Sequence, residues 1–199
     1  MKTWNKTAGV TLSIFFGICS LALISSSCSV VQAEESRVPV TISGGHETDP
    51  KDHGRPVVLI AAALEVKPEV FRKAFSGVTP ARGGRPSPEL ARRNKDALMK
   101  VLRPHGVTND RLDEVSNFYR YRPDRDELWK TLPAKAYAVV ENGRIARIVV
   151  TEPGYGYSST PTATVEGFEN ARLKVTVQFN RDVKKNGLVE TMELGAAEK

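Results

Sequence analysis

The sequence predicts an α+β protein in which about four short helices precede a small antiparallel sheet of about five strands. Apolar residues recur at helical spacing between positions 57 and 130, whereas runs rich in β-branched residues lie between 134 and 194. An Asn-Gly pair between two such runs is a strong hairpin signal. Because helices and strands are segregated along the chain, α+β is favoured over an alternating α/β fold.

The first 33 residues have the features of a signal peptide. Lys2 and Lys6 are followed by an uncharged, strongly apolar stretch from Ala8 to Ile24. Val31 and Ala33 suit signal peptidase at positions −3 and −1, so cleavage is expected after Ala33. The alternative is an uncleaved membrane anchor, for which the apolar run is a little short. We therefore expect a secreted or periplasmic protein.

Two cysteines, Cys19 and Cys28, both lie in the segment that would be removed. Cys28 offers a second alternative, a lipoprotein anchored through that residue, although Ser25 stands at −3 where such signals prefer leucine. Cleavage after Ala33 leaves a chain with neither disulfides nor a thiol nucleophile. Removal of Lys2 and Lys6 also lowers the formal charge of +6 by two, and export argues against a nucleic-acid partner.

The sequence predicts a polar N-terminal segment at residues 34–56 and a helical subdomain at residues 57–130. Proline is favoured at the first helical position, and Pro56 and Pro68 are each followed by apolar residues at helical spacing. Ser87 and Thr108 are predicted to cap two further helices, because a hydroxyl at this position accepts from a free backbone N–H.

Residues 134–194 are predicted to form an antiparallel β module, followed by a tail at 195–199. Asn142-Gly143 is predicted to turn the chain between Ala136–Val140 and Ile145–Val150, and three more strands are expected at 162–165, 173–179 and 188–194. Segment 142–150 also lines up with 186–194, which suggests a repeated strand-turn-strand unit.

The stretch Val149–Thr162 contains Gly154-Tyr155-Gly156-Tyr157-Ser158 and ends on Pro161-Thr162. It resembles the Gly-x-Gly-Tyr-Ser/Thr-x-x-Pro β-repeat of bacterial surface proteins and phage tail fibres. The resemblance covers Ala134–Leu194 and implies a structural or adhesive unit. On physical grounds, the Tyr157 ring is expected to lie over the end of the sheet while its hydroxyl bonds a backbone group.

A second likeness spans nearly all of the chain after the signal. The likeness is found in three segments: Gly44-Gly45-His46-Glu47-Thr48-Asp49-Pro50, Glu69-Val70-Phe71-Arg72 and Gly106-Val107-Thr108-Asn109. These segments are similar to an uncharacterised family of exported bacterial proteins. The resemblance implies export and brings no activity with it.

The densest polar cluster lies between two glycines and a proline-led helix. His46, Glu47, Asp49 and His53 could bind a divalent metal or supply a general base, although no recognised zinc spacing is present. The alternative, which we favour, is a solvated loop ahead of a buried helix.

A second cluster alternates aromatic and basic residues. An anionic glycan could be bound here, through ring stacking and ion pairs, by Tyr119, Tyr121, Arg122 and Trp129. The favoured alternative is a helix end whose rings face the core. With no phosphate loop and no Gly-x-Ser-x-Gly motif, we expect a non-enzymatic protein that interacts with an unknown envelope or extracellular partner. A metal-dependent enzyme or metal-binding protein centred on His46–His53 is the alternative, and an anionic glycan binder is a weaker one.

Overall fold

A computed structural model describes residues 35–81, 86–121 and 127–195. They all belong to one compact unit, Ala33–Lys199. The predicted signal peptide with Cys28, the predicted glycan ligand Arg122 and the end of the tail, residues 196–199, lie outside the described residues. Within the described ranges, none of the helices has the length and apolar character needed to cross a membrane.

Four helices form where the sequence places them. They are α1 (Val57–Ala63), α2 (Pro68–Phe75), α3 (Pro88–Leu102) and α4 (Asn109–Phe118). The Ser87 and Thr108 hydroxyls each accept a hydrogen bond at 3.2 Å, from the N–H of Leu90 and Arg111 respectively, which confirms both predicted caps. Short 3-10 turns at Pro50–Asp52 and Arg103–His105 flank α1 and α3.

Six strands are described, in two antiparallel sheets. β1 (Glu35–Ser43), β2 (Lys135–Glu141), β3 (Arg144–Glu152) and β4 (Thr162–Val165) form a sheet in the order β3-β2-β1-β4. β5 (Leu173–Gln178) pairs with β6 (Leu188–Leu194) in a second sheet. The predicted α+β class is confirmed, and the expected single sheet of about five strands is divided into four and two.

The prediction of a polar N-terminal segment at 34–56 is wrong for its first part, which forms β1. This strand is central: Val40 is paired with Ala136 of β2 on one side and with Val165 of β4 on the other. Val38, Val40 and Ile42 alternate with polar neighbours as a half-buried strand requires, but Pro39 and the leading Glu35 and Arg37 obscure the pattern. The helices therefore connect two adjacent strands of one sheet.

The buried apolar side chains form two clusters. One is built by the helices around Leu59, Leu102, Leu112 and Val115, and it also contains Trp129 and Val183. The other is built by the strands, with Ala138, Val165, Val189 and Tyr157 among its members. Residues that touch both clusters consequently control how the helices sit on the sheets.

Asn186 lies where the loop between β5 and β6 meets the helical cluster, and its backbone carbonyl accepts from the N–H of Gly156 in the loop between β3 and β4. It is fully buried, and its amide nitrogen donates to the Leu59 carbonyl at 2.7 Å and to the Tyr119 hydroxyl at 2.9 Å. Its amide oxygen accepts from the N–H of Asn180 at 3.0 Å. Asn142-Gly143 forms the predicted turn with positive φ at both residues. At Asn186-Gly187 only the glycine has positive φ, and the asparagine side chain is directed to α1 instead.

The loop between β3 and β4 closes the end of the four-stranded sheet. The Tyr157 hydroxyl accepts from the N–H of Ala134 at 2.9 Å, as the sequence predicts, and its ring is buried. Gly154 and Gly156 allow this loop to approach the chain ahead of β2. A Cβ at Gly154 would overlap the Leu132 carbonyl oxygen and lie 2.7 Å from the Ala134 nitrogen.

Replacing Asn186 with alanine is expected to lower the free energy of unfolding by about 3 kcal/mol, because buried groups of Leu59 and Asn180 lose their partners. Urea denaturation followed by circular dichroism measures the change. Asn170→Ala, at an exposed turn, is the matched control and should cost less than about 0.5 kcal/mol. Equal losses in the two variants would contradict the joining role of Asn186.

Gly154→Ala and Gly167→Ala form a second matched pair, since both glycines have positive φ but a Cβ at Gly167 meets no atom within 4 Å. Gly167→Ala should cost about 1 kcal/mol for backbone strain alone. Gly154→Ala should cost more than about 3 kcal/mol, because overlap with fixed backbone is added. Similar melting temperatures for the two variants would show that the loop does not need its close approach.

Candidate functional site

The predicted metal ligands of the N-terminal loop are directed to separate partners. The His46 ring stacks on Tyr157, with centroids 5.2 Å apart and planes within 8° of parallel, and its Nδ1 lies 3.3 Å from the Gly156 carbonyl. The Glu47 carboxylate accepts from the Ser159 hydroxyl and from the N–H of Gly45. The Ser159 hydrogen bond lowers the pKa of Glu47.

Asp49 and His53 lie on the 3-10 turn that follows. Asp49 caps the turn by accepting from the N–H of Lys51, and it pairs with the Lys51 ammonium at 2.8 Å, contacts that lower its pKa. His53 is exposed and has a positive φ of 50°. Among the residues that the structure describes, no three His, Cys, Asp or Glu side chains gather into a metal-binding group. The structure thus does not bring His46, Glu47, Asp49 and His53 together.

The predicted glycan ligands are largely core residues. Tyr119 and Trp129 are each 3% exposed. Tyr119 donates to the Val183 carbonyl, and Trp129 Nε1 donates to the Gly156 carbonyl at 2.8 Å. Burial raises the pKa of Tyr119 strongly, so its phenol stays protonated. Of the described three, Tyr121 alone is partly open, and its ring covers Gly54.

Sequence reasoning missed an ion pair that anchors the 3-10 turn to α2. Asp52 is 5% exposed, and both of its carboxylate oxygens accept from the Arg72 guanidinium, at 2.8 and 2.7 Å. Such a bidentate pair fixes orientation as well as charge. Arg72 also lies 3.4 Å from Glu69 and 3.7 Å from Asp49, so its charge is fully compensated. The hydrogen bonds to Asp52 raise the pKa of Arg72, and the charges of Asp49 and Glu69 add to this effect.

Arg55, three residues after Asp52, has a different environment. Its guanidinium lies over the Phe75 ring, 4.1 Å from the centroid, and one nitrogen donates to the Asp52 carbonyl at 3.1 Å. The side chain is half-buried, and burial lowers its pKa despite the nearby charge of Asp52. No carboxylate among the described residues forms an ion pair with Arg55, whereas Asp52 pairs with Arg72.

Two cavities meet at this arginine. One of about 480 Å³ opens toward Val57 and Ser76, and one of about 250 Å³ opens toward Ile60 and Tyr121. His53, Arg55, Phe71 and Phe75 line both cavities. We call the two together the Arg55 cleft. Its combined apolar wall and single central cation are typical of a site for a small organic ligand.

The other cations of the Arg55 cleft are already engaged by the protein. Lys51 pairs with Asp49, Arg72 pairs with Asp52, and Arg120 donates to the Asn117 side chain at 2.8 Å. Arg120 has no carboxylate partner among the described residues, but it is exposed at the rim. Within the ranges that the structure describes, the half-buried charge at the centre of the cleft that has no carboxylate partner is therefore that of Arg55.

A weak signal for this site exists in the sequence. In His53-Gly54-Arg55-Pro56 the glycine has a φ of +81°, and a Cβ there would lie 2.5 Å from the Tyr121 ring. A glycine and a proline on either side of an arginine indicate a fixed backbone. The lack of a partner for Arg55 depends on residues distant in sequence, so it could not be read from the chain.

Comparison of the chain with protein-family models, with curated proteins and with solved structures gives no match. The two resemblances described above therefore stay predictions, and the candidate site depends on its own geometry.

Replacing Arg72 with methionine is expected to destabilise the fold by about 3 kcal/mol, because the buried Asp52 carboxylate loses its partner. Arg93→Met, on the exposed face of α3, is the matched control and should change stability by less than about 0.5 kcal/mol. Adding Asp52→Asn to Arg72→Met should restore part of the loss in a double-mutant cycle of denaturation midpoints. Strictly additive losses would contradict the pairing.

Proposed function

We propose that this chain is an exported, non-enzymatic binding protein of the envelope or extracellular space, and that the Arg55 cleft holds its anionic ligand. The observation that carries the proposal is the half-buried Arg55 guanidinium, which has no carboxylate partner in the part of the chain that the structure describes. Removing a charge from water without pairing it is unfavourable, and an incoming anion would supply the missing partner.

The cleft is suited to present this charge to a ligand. A guanidinium has five N–H donors, and the structure uses one of those of Arg55, toward the Asp52 carbonyl. Stacking on Phe75 fixes the plane of the group. A preorganised donor loses less side-chain entropy on binding than a mobile surface arginine does.

Export is supported by the sequence features of residues 1–33 and by the resemblance to exported proteins. The basic excess that remains after removal of that segment also suits an anionic ligand. The non-enzymatic part of the proposal is supported by the lack of a thiol nucleophile and of recognised catalytic motifs in the chain after residue 33.

Arg55→Gln is expected to abolish stabilisation of the protein by anions. In residues 34–199, acetate, phosphate and sulfate should be tested one at a time by thermal unfolding at matched ionic strength. An anion that binds only the folded state adds about 1.4 kcal/mol when its free concentration is about ten times its Kd. Arg144→Gln, at an exposed hairpin, is the matched control and should respond as the parent does.

A response to anions that is the same in Arg55→Gln and Arg144→Gln would contradict the proposal, because it would reflect general screening of a basic protein. No response of the parent to any of the three anions, nor to the carboxylates named below, would also contradict it. Amide chemical shifts of residues 52–57 report whether an anion that binds does so at the cleft.

A further inference from the structure

We infer that the ligand of the Arg55 cleft is a monocarboxylate with an apolar body, such as a medium-chain or aromatic acid. This inference depends on the proposed function, because it names the class of anion that the same cleft selects. Three features of the cleft carry it: the number of uncompensated charges, the shape of the exposed part of the guanidinium, and the composition of the walls.

The charges favour a single negative charge on the ligand. Arg72 and Lys51 are each matched by a carboxylate, which leaves one positive charge at the centre, on Arg55. The buried carboxylate of Asp52 lines the same cavity. A dianion such as a phosphate monoester would place its second charge near Asp52 without a further central cation, and like charges at short distance repel.

The geometry of Arg55 favours a planar acceptor. One face of the guanidinium is covered by Phe75, and one N–H is taken by the Asp52 carbonyl. The donors that remain are at the edge of a plane whose orientation is fixed. A carboxylate accepts two parallel hydrogen bonds from such an edge, which is the preferred arrangement of arginine with carboxylates.

The walls favour an apolar body rather than a hydroxylated one. Apolar side chains line the cleft on both sides of Arg55: Val57, Ile60, Phe71, Phe75 and Leu98. Of the four hydroxyls in the lining, Ser76 already donates to the Lys73 carbonyl and Tyr119 to the Val183 carbonyl, which leaves those of Ser116 and Tyr121 for a ligand. A sugar acid would bury several hydroxyls here with few partners, which is unfavourable. Cavities of about 480 and 250 Å³ also exceed what acetate needs.

A ligand series tests the inference without altering the protein. Acetate, butyrate, hexanoate and benzoate should be titrated into residues 34–199 by calorimetry, with glucuronate and phosphate as hydroxylated and tetrahedral competitors. Affinity should rise about three- to fourfold for each methylene that enters the cleft. Hexanoate or benzoate should bind at least about tenfold more tightly than glucuronate or phosphate.

Variants then test which residues bind the carboxylate of the ligand and which bind its apolar body. Arg55→Gln should weaken all four carboxylates by a similar factor. Phe75→Gln should weaken hexanoate more than acetate, because acetate loses only the fixed plane of Arg55, whereas hexanoate also loses part of its apolar wall. Phe75→Leu is the matched control, because it keeps an apolar wall and should retain the dependence on chain length. If Phe75→Gln does not fold, the ligand series and Phe75→Leu still decide the question.

The outcomes separate the two proposals. If phosphate or glucuronate binds as tightly as hexanoate and loses affinity in Arg55→Gln, the anion site stands and the inferred class is overturned. A series with no dependence on chain length would overturn it in the same way. If no carboxylate binds in an Arg55-dependent manner, the proposed function fails together with the inference. A rise along the series that needs both Arg55 and the Phe75 wall supports both.

Discussion

The side-chain amide of Asn186 fixes the loop between β5 and β6 to the helices through three hydrogen bonds, to Leu59 of α1, to the Tyr119 hydroxyl after α4 and to Asn180 within the loop. Because an amide in an apolar core is unfavourable unless its donors and acceptor are used, this arrangement tolerates little displacement of any partner. The loop 179–187 is consequently fixed beneath the helices. Gly187 beside it accepts from the N–H of Tyr157, which extends the constraint to the end of the four-stranded sheet.

The position of the Arg55 cleft follows from this constraint. Tyr119 is held by Asn186, so the residues that follow it leave α4 in a defined direction and place Tyr121 against Gly54. On the opposite side, the Asp52–Arg72 pair fixes the 3-10 turn to α2. Arg55 lies between these two fixed points. Its charge has no carboxylate partner within residues 35–81, 86–121 and 127–195, because the neighbouring Asp52 is engaged by Arg72.

Features set by a few adjacent residues were predictable from the sequence. The caps at Ser87 and Thr108, the turn at Asn142-Gly143 and the strand Thr162–Val165 each depend on local chemistry, and the structure confirms them. Features set by distant pairing were not. β1 carries Pro39 and several charges, and its central position depends on β2 and β4. Asn186-Gly187 was expected to be only a turn, because Asn-Gly pairs are common in turns. The burial of the Asn186 side chain and its hydrogen bond to Leu59 depend on α1, which is distant in sequence. In the candidate site, His53, Tyr119 and Tyr121 were anticipated, and with a different chemistry.

The central position of β1 also has a consequence for the order in which the protein folds. β1 is paired on both edges only when Ala136 of β2 and Val165 of β4 lie opposite Val40, and the four helices separate β1 from β2 along the chain. Contacts between residues so far apart in sequence close large loops and slow folding. A nascent chain that lacks its last third therefore has an incomplete sheet. Such a delay leaves the sheet unformed for the period in which the proposed export would have to take place.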